Sequence, residues 1–433
     1  MAPKELTSFG SSVLLKYASH RNGAPPVTGE SYMESRRQDD GAEGLWRVHD
    51  GLYDLTEFIS RHPGGQNWLR ITKGTDITEA FESHHIAQTA ADLLPKFFIR
   101  SASRSQPRNS PYTFHEDGFY KTFKRRAAYV LKITPDSSFS RWFNDGLVAS
   151  CFLLLVSAAA TSSYVLATVG AFCISITAIC SHNFTHMRDN WRMYYLSLCY
   201  LSLEDWRISH ILSHHQYPNT QLDMEISMLE PLLEYFPTKT KKTLSMLGAA
   251  VAFTVSACIM LPSKIPYRLT HMRVEDLLPL LFLTAMVILG GSSVLSATFM
   301  WIYVLVAHSF FFHYLGFTGA HHHPEIFHDG DAPRLDRDFG LGQLDATRDR
   351  ADYGSNPVLV LSRYGDHALH HLLPTVDHCR LRALYPVFTE TLAEFGIQYR
   401  FTTAWTLFKG SFKQLTRREP NQCAPGSVID LKH

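Results

Sequence analysis

Residues 146–180, GLVASCFLLLVSAAATSSYVLATVGAFCISITAIC, run for 35 positions without one charged side chain. A bilayer core takes roughly 20 apolar residues per helical crossing, and backbone amides left unpaired in lipid are prohibitively costly, so such a segment must be helical. Its length suits one long tilted span or a tight helical hairpin, and the small residues near its middle favour the hairpin. Further apolar runs at 244–261, 277–295 and 296–317 each approach spanning length. The start, MAPKELTSFGSS, has no apolar core of signal-peptide length, so membrane entry is expected through the internal segments.

Outside these runs the chain is polar. The 41 basic and 40 acidic side chains nearly cancel, which gives no argument for nucleic acid as a partner. Seven scattered cysteines without a CxxC pair read as packed, reduced thiols of a cytosolic environment. The pattern divides the chain into a flexible lead-in (1–40), a compact module (41–101) and a polar linker (102–120). A membrane module (121–405), opening on an amphipathic basic helix suited to an anionic membrane face, and a C-terminal tail (406–433) complete it.

Histidines gather just outside the apolar runs: His182 and His186, then His210, His214 and His215, then His321, His322, His323 and His328, then His367, His370 and His371. Residues three and four apart share a helix face, so each group presents two or three imidazoles together. Imidazole suits iron, zinc and copper. Eight or nine such ligands are too many for one tetrahedral zinc and enough for two metals with open positions. Histidines before and after the later runs converge only if they lie on one side of the bilayer. The intervening spans must then be even in number, giving four in all, with two drawn from the three later candidates.

The stretch LWRVHDGLYDLTEFISRHPGGQNWLRITKGTDITEAFESHH resembles cytochrome b5 domains through HPGG at 62–65 and through Trp46, Val48, Tyr53, Asp54, Phe58, Gly74, Asp76, Thr78 and Phe81. The resemblance implies heme b held by His62 and a second histidine. Family spacing from Phe81 selects His85 and leaves His84 as the alternative. Two imidazoles fill both axial positions, so such a heme carries electrons and does no substrate chemistry.

The histidine groups, over about 120–400, resemble the membrane fatty acid desaturase family, an all-helical fold with three histidine boxes around a di-iron centre. The fold class is therefore an α+β heme domain followed by an all-α multi-span domain with a cytosolic cap. The resemblance implies two non-heme irons on His182, His186, His210, His214, His215, His321, His367, His370 and His371, with His323 and His328 as outer partners or alternative ligands. It further implies O2, a fatty acyl or sphingolipid substrate, and electrons from NADH through a cytochrome b5 reductase. The expected setting is the endoplasmic reticulum membrane, with the heme domain and boxes facing the cytosol. Desaturation is the expected outcome. Acyl hydroxylation, an electron-transfer or regulatory role, and, more weakly, metal transport are the alternatives. Three departures stand out: His367 where front-end desaturases carry glutamine, HNFTH in the first box, and three residues rather than two before the His214–His215 pair. Asp189, Glu204, Asp205 and Asp366 are expected to support the box histidines. His308 and His313 are expected to be functional or paired at membrane depth, and His20, His49, His115 and His271 to lie at the surface.

Overall fold

The computed structural model describes residues 12–14, 18–22, 27–239, 241, 244–316, 320–354 and 356–426. An N-terminal α+β domain is built on antiparallel strands Trp46–Val48, Gly51–Tyr53 and Phe98–Ser101, in that order across the sheet. Short helices Gln66–Thr72 and Thr78–His84 pack beside it, around a small core of Trp46, Leu55 and Leu69.

The lead-in expected to be flexible instead contains the helix Gly29–Asp39, opened by a reciprocal Thr28–Ser31 capping box. Its Tyr32 and Met33 are buried, and Arg36 makes a buried ion pair with Asp40 while reaching the Tyr217 hydroxyl in the membrane module. Charge in this segment serves internal pairing, which composition alone does not reveal. Parts of the expected lead-in and of the tail lie outside the described residues.

The charge-free stretch is two antiparallel helices, Phe139–Thr161 and Tyr164–Thr185, longer at both ends than its apolar run. Ser162 turns between them with φ +51°. Small residues let the two backbones approach closely: a Cβ at Gly170 would press on Leu155, and Ala158, Ala159, Ala167 and Ala171 are buried alongside. Helix Val294–Gly316 packs on the second of the pair. Among the described residues these three helices are long and apolar enough to cross a membrane, and a fourth crossing exists if the bent pair Met246–Ile259 and Pro262–Thr270 is one span, broken by 53°. The bend is stitched by Ser309, whose hydroxyl donates to the Ala257 carbonyl and accepts from the Leu261 amide.

The 277–295 candidate contributes no helix of spanning length among the described residues. Its helix, Leu280–Ile288, has nine residues, roughly 14 Å at 1.5 Å per residue, and stops at Gly290–Gly291, where Gly291 has φ +65°. Phe282 and Met286 bury it against the spanning bundle. His308 and His313 serve the bundle as helix ties. His308 bonds Ser175 Oγ and the Cys199 carbonyl, and His313 bonds Ser256 Oγ.

On one end of the bundle sits a cap. Helix Phe119–Ile133, read as a membrane-surface helix, buries Phe119, Tyr120, Phe123 and Ala127 against Phe339, Leu369, Leu372 and Phe388. The expected tail begins as helix Ala404–Thr416, which packs on Met246–Ile259 through Phe412 and Leu415.

Candidate heme cleft and metal centre

In the N-terminal domain, His62 ends a short 3-10 turn, and the backbone reverses through Gly64 and Gly65, the latter at φ +122°. His85 follows helix Thr78–His84. The two rings face each other across a cavity of about 510 Å³, centroids 6.3 Å apart. With imidazole–metal bonds of about 2 Å, two imidazoles on one iron put their ring centres at about this separation. His62 Nδ1 lies 2.8 Å from the Gly65 carbonyl and His85 Nδ1 2.9 Å from that of Phe81. An Nδ1–H donated to each carbonyl leaves both Nε2 lone pairs for the cavity. Burial holds His85 below the usual histidine range against the opposing hydrogen bond to the Phe81 carbonyl, which favours the neutral form a metal ligand requires. Leu55, Phe58, Leu69, Leu94 and Phe97 make the walls apolar, and the residues present fit a heme. His84 instead stacks on His186 of the membrane module and lies against Trp68.

That boundary is packed. Glu82 receives Lys121 Nζ at 2.8 Å and Lys124 Nζ at 3.0 Å, and the Tyr120 hydroxyl donates to its carbonyl. The Asp189 amide donates to the Gly64 carbonyl, and Arg207, ion-paired to Asp189, lies 4.4 Å over the Trp68 ring. A Cβ at Gly65 would run into the Asp189 carboxylate. His186, Met187, Arg188, Leu212 and Thr375 of the membrane module complete the wall of the heme cavity.

The structure brings all nine expected metal-site histidines into two buried groups. His182, His186, His210, His215 and His370 form one; His214, His321, His367 and His371 form the other. His182 and His186 come from the last turn of the second spanning helix, one turn apart. Residues Arg207–His214 form a π-helix, in which the His215 amide donates to the His210 carbonyl, five residues back. The extra residue of the second box is absorbed by that wider turn. His210 and His215 enter one group, their Nε2 atoms 3.1 Å apart, while His214 turns to the other.

The outward nitrogens have fixed partners. His210 Nδ1 lies 2.8 Å from Glu225, His214 Nδ1 2.9 Å from Asp223, His371 Nδ1 2.9 Å from Gln343 Oε1 and His321 Nδ1 2.8 Å from the Ala346 carbonyl. Each donated Nδ1–H leaves a bare Nε2 lone pair directed inward. His182 and His210 meet Nε2 to Nε2 at 2.7 Å, as do His321 and His367. The buried Nδ1 atoms of His182, His186, His215 and His367 have no hydrogen-bond partner. Nine buried imidazoles whose ring nitrogens converge within 4.8 Å in each group form a donor set that fits metal ions.

Other expectations fall differently. His323 bonds the Glu325 amide and abuts Gly410, and His328 Nδ1 bonds the Ile326 carbonyl, so neither joins a group. His322 stacks on Tyr235 and lines a cavity of about 120 Å³ that opens onto His210, His214, His321 and His367. Of the expected supporting carboxylates, Asp189 binds Arg207, Glu204 binds Arg273, Asp366 accepts from Tyr385, and Asp205 neighbours Lys264. His20, expected at the surface, is buried edge-on to Tyr32. Sequence reasoning missed Asp223, Glu225, Gln343 and also His378, which lies 3.1 Å from His370 Nδ1.

The sequence model of the fatty acid desaturase family matches residues 156–403, and that of the cytochrome b5-like heme/steroid binding domain matches residues 32–103. The chain is 42% identical over 429 residues to the cytochrome b5-related protein of Drosophila melanogaster, covering 96% of this chain and 98% of the relative. It is 51% identical over 122 residues to the Drosophila virilis protein of the same name, 28% of this chain and 83% of the relative. Delta(5) fatty acid desaturase A of Dictyostelium discoideum shares 27% identity over 216 residues, 45% of this chain and 46% of the relative. No solved structure matches.

Proposed function

Since the chain belongs to the fatty acid desaturase family and carries a cytochrome b5 domain ahead of its membrane helices, we propose that it removes two hydrogens from a fatty acyl or sphingoid chain using O2. The single observation that carries this reading is the convergence of nine buried imidazoles from four distant segments. In this reading His62 and His85 hold heme b. His182, His186, His210, His215 and His370 hold one iron, and His214, His321, His367 and His371 hold the other. Bound there, two irons supply the oxygen activation that breaking an unactivated C–H bond demands. One O2, two substrate hydrogens, two electrons and two protons give an alkene and two waters.

The chain's own residues do the rest. Asp223, Glu225 and Gln343 fix the histidine rings by holding their outer protons. Trp206, Met260, Leu261, Phe312 and Tyr364 line the cavity beside the second group and exclude water from a passing alkyl segment. The cap, carrying both the heme domain and the histidines, sits in this reading on the cytosolic face of the endoplasmic reticulum membrane. An NADH–cytochrome b5 reductase is the proposed electron source.

Metal analysis tests the reading: purified, loaded protein should hold two non-heme irons for each heme. Lipid profiling of cells with and without the chain should reveal a substrate–product pair differing by two hydrogens. A product heavier by one oxygen would indicate hydroxylation at the same site. Absence of non-heme iron would leave only a heme electron-transfer role.

A further inference from the structure

His84 and His85 are adjacent, yet their rings diverge. Each Nδ1 bonds the carbonyl four residues back, His84 to Ala80 at 3.1 Å and His85 to Phe81 at 2.9 Å. Consecutive helical residues point about 100° apart, so His85 faces His62 across the heme cavity while His84 faces the membrane module. There the His84 ring stacks on His186, nearly parallel at 20°, with centroids 6.4 Å apart. Trp68 lies against it at 6.2 Å. His84 and His186 both line the cavity that holds His62 and His85. His186 Nε2 is 2.9 Å from that of His182, within the five-histidine group. His84 therefore stacks beside His186 where the wall of the heme cavity meets the first box, and neither site uses it as a ligand.

We propose that His84 is a positioning residue for electron transfer from the heme to the metal centre, its ring stacked on His186 at the wall that the two sites share. This rests on the desaturase reading above. With both groups bound, each passage would take one electron from the heme and give it to the metal pair. Two passages, drawn from the reductase, join the two electrons of the substrate's C–H bonds to take O2 to two waters. Glu82 with Lys121 and Lys124, and Gly64 with Asp189, join the two domains on both sides of His84.

The test uses the full-length protein with heme and iron in place, reduced anaerobically and mixed with O2 in the presence of lipid substrate. The readout is reoxidation of the heme absorbance band. H84L should slow reoxidation at least tenfold while the heme spectrum, heme potential, iron content and reduction by the reductase stay as in wild type. H84F, which keeps an aromatic ring at the contact, should restore the rate to within threefold of wild type. An H84L rate within twofold of wild type, H84F as slow as H84L, or loss of iron from H84L would overturn the positioning role. Iron dependence of wild-type reoxidation separates the two claims. If it persists while H84L reoxidises normally, the desaturase reading stands without the positioning role; if iron-depleted wild type reoxidises equally fast, both fall.

Discussion

The heme cleft and the histidine cluster are both imidazole sites, but they are built in opposite ways. His62 and His85 belong to one small domain and stand 6.3 Å apart across an apolar cavity. The cluster draws on segments as far apart as His182 and His370, 188 residues, and its inward nitrogens meet at about 3 Å. The cleft needs only a local fold. The cluster needs the spanning helices, the π-helix and the cap to be in register together. The two should therefore fail separately, and the sharpest test is to break one at a time. His371→Ala removes an inward nitrogen from the four-histidine group. It should cost more than about a hundredfold in turnover, beyond the range reached by changing outer partners, with the heme spectrum intact. His62→Ala should do the reverse, abolishing the heme band while non-heme iron remains. Loss of both metals in either variant would mean that the two regions form one cooperative unit.

A smaller change probes what holds the cluster's rings. Asp223 fixes His214 and also accepts the amides of Asn219, Glu225 and Ile226. Asp223→Asn keeps the shape but weakens the grip on the imidazole proton. Iron affinity should fall by about 10- to 100-fold, measured by chelator competition, whereas the same assay on the heme should show no change.

The same contrast governs what the sequence makes legible. The nine cluster histidines and the heme pair stand out because box spacing and HPGG are periodic or local patterns. Asp223 and Glu225 carry no such signal, being single acids nine and fifteen residues beyond the histidines they serve. The flanking acids Asp189, Glu204, Asp205 and Asp366 were attractive for their proximity in the chain, but neighbours along a helix point to different faces. Hydropathy offers 277–295 as one of three candidate spans because it counts apolar residues and is blind to the break at Gly290–Gly291. His378 had a signal, a histidine just beyond the third box, but one imidazole without a companion on its own face is ordinarily unremarkable.

The finest test concerns the seam between the two regions. Burial would raise the Glu82 carboxyl, but His49, Lys124 and Lys121 around it hold it well below the usual carboxylate range. A depressed carboxylate stabilises the docked state fully above its unfolded value of about 4.3 and loses that contribution as pH falls through the folded value. Docking of the heme domain should therefore be insensitive to pH across the neutral range and weaken only in acid. Glu82→Gln removes the charge at every pH and leaves Lys121 with Glu116 and Lys124 with the backbone carbonyl of residue 82 as their remaining partners. With charged hydrogen bonds worth about 1.5–3 kcal/mol each and solvent recovering part of that, the seam should weaken by roughly 1–3 kcal/mol. Hydrogen exchange in residues 78–85 would then rise while exchange in the spanning helices stays fixed. A uniform rise in both would show that the seam and the bundle open together, and the contrast between a local cleft and a global cluster would fail.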